Sequence, residues 1–324
     1  MPSQTPSRSP SRSSSEVAAK RVIASGCTGY LAPEGFLDDL RAELGDTLAT
    51  HGRLVLAEGP PRAAAWAENV WYEPLRVEFA SIAEGAKALR AIQRNWALYS
   101  HALHRRANLI QQRLPFVGAK PLVFPTPAPT APLGAWTLLD EHTILAAPRC
   151  ASAFANGVVT FVEDKAGPPN RAYLKLWEAL TVIGRYPAPG ETCLDLGASP
   201  GGWSWVLQGL GAKVIAVDKA PLAPAIAALP GIESRAGSAF ALEPAEIGAV
   251  DWLFSDVICY PDRLYRLVVK WIESGLARHM LCTIKFQGAT DFAIQRRFAE
   301  LPGARLMHLH HNKHELTWVR LADG

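Results

Sequence analysis

Residues Cys193-Leu194-Asp195-Leu196 form an apolar run interrupted by one acid. The chain then turns through Gly197-Ala198-Ser199-Pro200-Gly201-Gly202 into a helix-like stretch that begins at Trp203. Glycines in such a turn let the backbone approach a ligand closely, through torsions that a side chain would resist. The spacing is neither GxGxxG nor GxxxxGK[ST], and no lysine follows the glycines, so the turn is not built as a triphosphate cradle. Ile215-Ala216-Val217-Asp218 supplies a second strand ending in a carboxylate, placed to accept both hydroxyls of a ribose. An acid, a glycine turn and a second acid, with no phosphate cradle, fit S-adenosylmethionine (SAM), an adenosine compound without phosphate.

Four further residues have the chemistry of a catalytic centre. Lys175 lies in a helical stretch, Asp256 follows Trp252-Leu253-Phe254-Ser255, Lys285 follows Met280-Leu281-Cys282-Thr283-Ile284, and Glu315 opens the final strand. Taken singly, Lys175 could extend its ammonium from a helix face and Glu315 could be a hairpin-end charge. Asp256 and Lys285 are harder to dismiss, because charges directly after apolar core strands are costly unless used or paired.

These residues need a scaffold that converges them, and the sequence from about 166 onward predicts one. Helices over 171–185, 203–210, 222–229, 261–276 and 289–301 alternate with strands over 192–196, 213–217, 232–235, 251–255 and 279–285. Strands over 305–310 and 315–321 close the chain. Alternation of this kind predicts a doubly wound, mostly parallel sheet whose ligand edge lies at the carboxyl ends of its strands. Only His311-Asn312-Lys313-His314 separates the last two strands, too short for a helical crossover. They must form a hairpin, which makes the final strand antiparallel. The expected fold is thus α/β, a Rossmann-like class I methyltransferase domain over 166–324.

Before it, residues 21–165 read as a smaller α+β region. A strand over Arg21–Ser25, an amphipathic helix over Glu34–Leu44 and a strand over Gly52–Ala57 open it. Residues 81–114 read as helical, with Trp96, Leu98, Tyr99, Leu103, Leu109 and Ile110 as an apolar stripe. Arg94, Arg105, Arg106 and Arg113 add positive charge, either as a solvated face or as an RNA-facing surface. The proline-rich run from Pro121 to Pro132 is a linker or an extended crossing. Strand-like runs follow around 136–139, 143–146 and 158–162, and Gly167-Pro168-Pro169 marks the start of the last domain.

With its motifs in view, the chain resembles the FtsJ-like (RrmJ-like) family of SAM-dependent RNA 2′-O-ribose methyltransferases. The likeness rests on Lys175 in RAYLKL, Asp256 in FSDV, Lys285 in TIKF and Glu315 in HELTWV, together with DLGASPGGW and AVDKAPL. Within the family it runs to the RlmM type, which modifies a cytidine of bacterial large-subunit rRNA. There Asp256 to Pro261, the Pro-Asn-Arg stretch and the GWSW helix start are similar. The resemblance covers about 165–324, and against that type residues 21–165 read as a reduced, THUMP-like RNA-binding module. It implies Lys175, Asp256, Lys285 and Glu315 as catalytic residues. It also implies a SAM site built from Asp195, Gly197, Ala198, Ser199, Pro200, Gly201, Gly202, Trp203, Asp218 and Asp256. Ser238 stands where many relatives place an acid near the adenine. Lys285 would accept or guide the hydroxyl proton, Asp256 would orient it, and Lys175 and Glu315 would fix the ribose and the lysine. No metal is required. A catalytically silent SAM- or RNA-binding module, or a methyltransferase acting on a non-RNA substrate, are the competing readings.

His308, His310, His311 and His314 invite a zinc site, but no cysteine lies nearby, and RNA contact or surface exposure is the preferred reading. At 324 residues and 49% hydrophobic the chain can bury a sizeable core. Its formal charge of +3 means that RNA affinity must come from local patches, and no DNA partner is expected. Five dispersed cysteines (Cys27, Cys150, Cys193, Cys259 and Cys282) argue for reduced thiols and a cytoplasmic setting. No run is long enough for a membrane span. Residues 1–20 read as a disordered tail rather than a secretory signal, with Arg8 and Arg12 as loose RNA contacts in the alternative. Oligomeric state is not legible.

Overall fold

The structure, a computed structural model, describes residues 22–322. The expected tail over 1–20 and Arg21 at the head of the first strand lie outside the described residues. The N-terminal part is strand-rich. In chain order it comprises β1 (Val22–Ala24), β2 (Cys27–Leu31), α1 (Leu37–Leu44), β3 (Ala49–His51), β4 (Leu54–Glu58), β5 (Asn69–Tyr72) and β6 (Leu75–Glu78). There follow α2 (Ile82–Ile92), β7 (Trp96–Leu98), α3 (His104–Gln111), β8 (Gly134–Leu138), β9 (Thr143–Ala147) and β10 (Arg149–Cys150). The strands form two five-stranded sheets, ordered β1-β6-β9-β8-β7 and β10-β5-β2-β4-β3.

The helical expectation over 81–114 is corrected here. Gln93 is extended and ends α2, and Trp96-Ala97-Leu98 pairs in parallel with β8. The Trp96 indole donates back to the carbonyls of Leu89 and Gln93, each at 3.0 Å. An aromatic β-former next to a waiting strand edge overrides the helical pattern. Residues 158–162 are likewise not a strand: one parallel bridge joins Phe161 to Leu122. The proline-rich run is an extended crossing, with Phe124 stacked on Trp177 at 4.9 Å.

From residue 173 the elements alternate. They are α4 (Tyr173–Ile183), β11 (Thr192–Leu196), α5 (Gly202–Gly209), β12 (Lys213–Asp218), α6 (Pro224–Ala227), β13 (Ile232–Ala236), α7 (Pro244–Ile247) and β14 (Val250–Ser255). The chain closes through α8 (Pro261–Ser274), β15 (Ala277–Lys285), α9 (Phe292–Ala299), β16 (Ala304–Met307) and β17 (Glu315–Arg320). The seven strands are ordered β13-β12-β11-β14-β15-β17-β16. Every pair from β13 to β15 is parallel, while β17 runs antiparallel to both neighbours. This is the doubly wound class I methyltransferase arrangement with its terminal hairpin. Sequence order reverses beside β11, and that switch point is where open α/β sheets hold ligands.

Alternation along the strands divides the core. Leu194, Leu196, Leu253, Met280 and Cys282 face one layer, which includes Trp271, Phe298 and Trp318. Cys193, Trp252, Phe254 and Leu281 face the other, with Trp177 and Trp203. The first layer does not stop at the N-terminal part: Tyr30, Leu40, Val55 and Trp66 belong to the same buried cluster. Glu43 accepts the backbone N–H groups of Ala65 and Trp66 at 2.9 Å each and the Gln295 amide at 2.6 Å. Burial nonetheless raises its pKa above the ordinary glutamate value. The Trp66 indole donates to the other end of Gln295 at 3.0 Å. The two halves thus share one core.

Candidate active site

A cleft of about 380 Å³ opens at the carboxyl ends of β11, β12, β14 and β15. Asp195, Gly197, Ala198, Ser199, Gly202, Trp203, Asp218, Asp256 and Lys285 line it. A second cleft of about 180 Å³ adjoins it across Gly197, Asp218, Val257 and Ile258, and contains Ser238. The sequence-predicted residues therefore gather along one continuous groove, with four exceptions. Lys175, bonded to Asp256, and Glu315, bonded to Lys175, stand behind its wall, and the other two belong to the glycine turn. Pro200 and Gly201 build the turn without forming its wall. The Pro200 carbonyl accepts Ala223 N–H at 2.9 Å, and Gly201, at φ +115°, lies so close to Ile226 that a Cβ would sit 2.7 Å from its Cγ2.

Gly197 shows why the turn needs glycine. Its φ is +81°, and a Cβ would meet the Val257 side chain at 2.7 Å. Any side chain would push the turn off the strand carrying Asp256. Asp218 closes the turn from the next strand: its Oδ2 accepts Ser199 N–H at 3.0 Å and its Oδ1 accepts Ala220 N–H at 2.9 Å. One lone pair on each oxygen remains for a ligand. Asp195 is fully buried and accepts the Ser204 hydroxyl at 2.7 Å. Burial is the main reason its pKa is pushed up to about 7, with the charges of Asp256 and Asp218 adding to it. Trp203 is framework as well as wall, its indole donating to Ala172 O at 3.0 Å while its ring packs edge-on to Phe254.

Lys175, Asp256, Lys285 and Glu315 form one network. Lys175 Nζ lies 2.9 and 3.0 Å from the two Asp256 oxygens and 3.0 Å from Glu315 Oε1. Lys285 Nζ lies 3.0 Å from Asp256 Oδ1 and donates to the Asp256 carbonyl at 2.6 Å. The sheet register explains the convergence: β14 and β15 run in parallel, with Ser255 opposite Cys282, β15 continues three residues further, and Lys285 stands directly opposite Glu315 on β17. All four side chains are less than one-fifth exposed. Burial works against the Lys175 ammonium, but Asp256 and Glu315 more than offset it, and its pKa is raised.

Asn170, Val257, Ile258 and Arg263 also line the groove and were missed as site residues. Gly202 abuts Asn170 so tightly that a Cβ would meet its Oδ1 at 2.3 Å. Arg263 lies 3.9 Å over the Phe240 ring at the second cleft. Their signal was position alone: Val257 and Ile258 directly follow Asp256.

The histidine cluster is corrected. His308 is buried, with Nε2 3.0 Å from Lys313 O and its ring packed on Phe36 and Trp66. Burial pushes its pKa down to about 4. His310 meets Glu68 at 3.1 Å, His311 meets Glu178 at 2.6 Å, and His314 stacks on Phe36 and reaches Thr290 at 2.7 Å. His308, His310 and His314 contact residues of the N-terminal part, with His310 still exposed as expected, whereas His311 is held within the C-terminal part by Glu178 of α4. Among the described residues no group of three or more His, Cys, Asp or Glu is arranged to hold a metal. Also among them, the cysteines are all free and no helix is long and apolar enough to cross a membrane.

Comparison with known proteins bears on the same half of the chain. Residues 168–277 match the family model described as FtsJ-like methyltransferase. The Ribosomal RNA large subunit methyltransferase M of Halorhodospira halophila is 38% identical over 157 residues, 46% of this chain and 46% of that protein. Its namesake in Alkalilimnicola ehrlichii is 35% identical over 162 residues, 46% and 44% of the respective chains. That of Marinobacter nauticus is 30% identical over 206 residues, 56% and 55%. The chain spans about half the length of these curated relatives. Placed on the structure, the matched segment runs from just before α4 to the first residue of β15, and so contains the glycine turn, Asp218, Lys175 and Asp256. Over residues 168–277 the chain is therefore similar to the FtsJ-like methyltransferases.

Proposed function

We propose that the protein transfers a methyl group from SAM to a ribose 2′-hydroxyl of RNA, with large-subunit rRNA as the substrate. One observation carries the reading: Asp256 and Lys285, the groove-facing members of the Lys175–Asp256–Lys285–Glu315 network, line the same groove as the Gly197 turn and Asp218. A ribose hydroxyl is a poor nucleophile near neutral pH, so the site must align it and manage one proton. The groove suits SAM on its own chemistry, offering the Asp218 carboxylate for ribose hydroxyls. When bound, SAM supplies an electrophilic methyl on sulfur.

The lysines then have distinct tasks. As a neutral amine, Lys285 has two N–H donors, matched by Asp256 Oδ1 and the Asp256 carbonyl. Its lone pair is left for the hydroxyl proton. Asp256 orients Lys285, while Lys175, held by Asp256 and Glu315, fixes Asp256 from the other side. A methyltransferase for small molecules or proteins has no need of two lysines around one aspartate. The N-terminal part, with exposed Arg94, Arg105 and Arg113, would engage RNA phosphates. Arg106 is the exception among the four expected arginines, since it packs 5.3 Å over the Phe79 ring. An rRNA substrate implies a cytoplasmic setting.

The test is a map of ribose methylation in RNA from cells lacking the protein. Loss of one 2′-O-methyl mark, restored by wild-type protein and not by Lys285→Ala, is the expected result. An unchanged map would refute the substrate.

A further inference from the structure

A fifth charged residue stands behind the four. Glu178 lies one helical turn beyond Lys175 on α4, and its side chain is only 2% exposed. A carboxylate buried that deeply is costly unless donors meet it. Three do, all from the turn between β16 and β17. Oε1 accepts His310 N–H at 2.7 Å, Oε2 accepts His311 N–H at 2.9 Å, and His311 Nδ1 lies 2.6 Å from Oε2. The same turn leads into Glu315, whose Oε1 meets Lys175 at 3.0 Å. Residues three apart share a helix face. One face of α4 therefore holds a single hairpin at two points, through an anion at Glu178 and a cation at Lys175.

We infer that Glu178 is a positioning residue for methyl transfer. By holding the His310–His311 turn against α4, it sets how far Glu315 reaches toward Lys175. Through Lys175 it sets the orientation of Asp256 and hence of Lys285. The inference rests on the methyl-transfer reading above. The donor pattern requires a carboxylate, because an amide placed either way would turn its NH2 toward a backbone N–H. Glu178→Gln therefore keeps the size of the side chain and loses at least one of the bonds. The His310 ring goes elsewhere, to Glu68, and provides a control.

The experiment compares full-length wild type, Glu178→Gln, His311→Ala and His310→Ala in single-turnover methyl transfer from SAM to large-subunit RNA. SAM affinity is read by calorimetry, and hydrogen exchange is followed over residues 308–315. Glu178→Gln should lower the transfer rate about tenfold or more, since a misplacement of ~1 Å can cost ~100-fold. SAM affinity should stay within about twofold, because the carboxylate acts on the chemical step and not on cofactor binding. Exchange across the turn should quicken. His311→Ala, which keeps both backbone bonds, should show a smaller loss of the same kind and serves if the glutamine variant does not fold. His310→Ala should match wild type. A wild-type rate in both Glu178→Gln and His311→Ala, unchanged exchange, or an equal loss in His310→Ala would overturn the inference. Wild-type protein that transfers no methyl fails the reading of the site instead, and exchange alone then decides whether Glu178 holds the turn.

Discussion

Asp256→Asn attacks the centre of the network while hardly changing its shape. Asp256 is the only one of the four that touches both lysines, at 2.9 and 3.0 Å to Lys175 and 3.0 Å to Lys285. Neutralising it leaves two ammonium groups, each less than one-fifth exposed, facing the single carboxylate of Glu315. Removing one partner of a buried ion pair costs about 3–5 kcal/mol. Here Glu315 still holds Lys175, and the backbone carbonyl at the substituted position still accepts from Lys285, so about 2–3 kcal/mol is the expected loss. In a chain of this size that lowers Tm by about 4–10 °C. Turnover should suffer far more, by ~100-fold or beyond, because the proton-handling geometry is lost along with the charge. Differential scanning calorimetry and single-turnover methyl transfer read the two effects on one sample. A folded Asp256→Asn protein within about threefold of the wild-type rate would refute the role given to the bridging carboxylate.

Other outcomes follow from the same geometry. Asp218→Ala removes the acceptor for ribose hydroxyls, one backbone bond of the glycine turn at Ser199 and one to Ala220, and should weaken SAM by about 1–3 kcal/mol in calorimetry; unchanged affinity removes Asp218 from the cofactor site. His308 has its folded pKa near 4, below its ordinary 6.5, so the unfolded chain binds more protons between those values. Its contribution is full above about pH 6.5 and is lost as pH falls toward 4, up to about 3 kcal/mol. Urea denaturation at pH 7.5 and 5 should show a shallower acid loss in His308→Gln, and an identical slope would contradict this. Replacing Arg94, Arg105 and Arg113 together by Gln should weaken RNA binding and flatten its salt dependence by about two to three phosphate contacts; an unaltered salt slope would place the RNA elsewhere.

Much of the catalytic half is legible in the sequence because strand and helix periods alternate there without interruption. Thr192–Leu196 falls where the pattern puts it, and the short connection before Glu315 forces the observed hairpin. Asp256 and Lys285 stand out because a charge after an apolar strand demands a partner. What is not legible depends on contacts between distant residues. Trp96 sits in a helix-like stretch, yet a strand 38 residues later captures it. His308 looks like a surface residue until Trp66 and Phe36 close over it from the other half. Glu178 reads as an ordinary helical acid, since its three donors lie more than 130 residues away.

The most direct test of the account is methyl transfer in vitro, using isotopically labelled SAM, purified protein and large-subunit RNA, with the product digested to nucleosides. Wild type should place the label on a ribose 2′-oxygen. Lys285→Ala should bind SAM normally and fall ~100-fold or more in rate, and Lys285→Arg should fail nearly as badly, because a guanidinium keeps the charge but cannot accept the proton. Label on a base, or a near-normal rate in the arginine variant, would contradict the account.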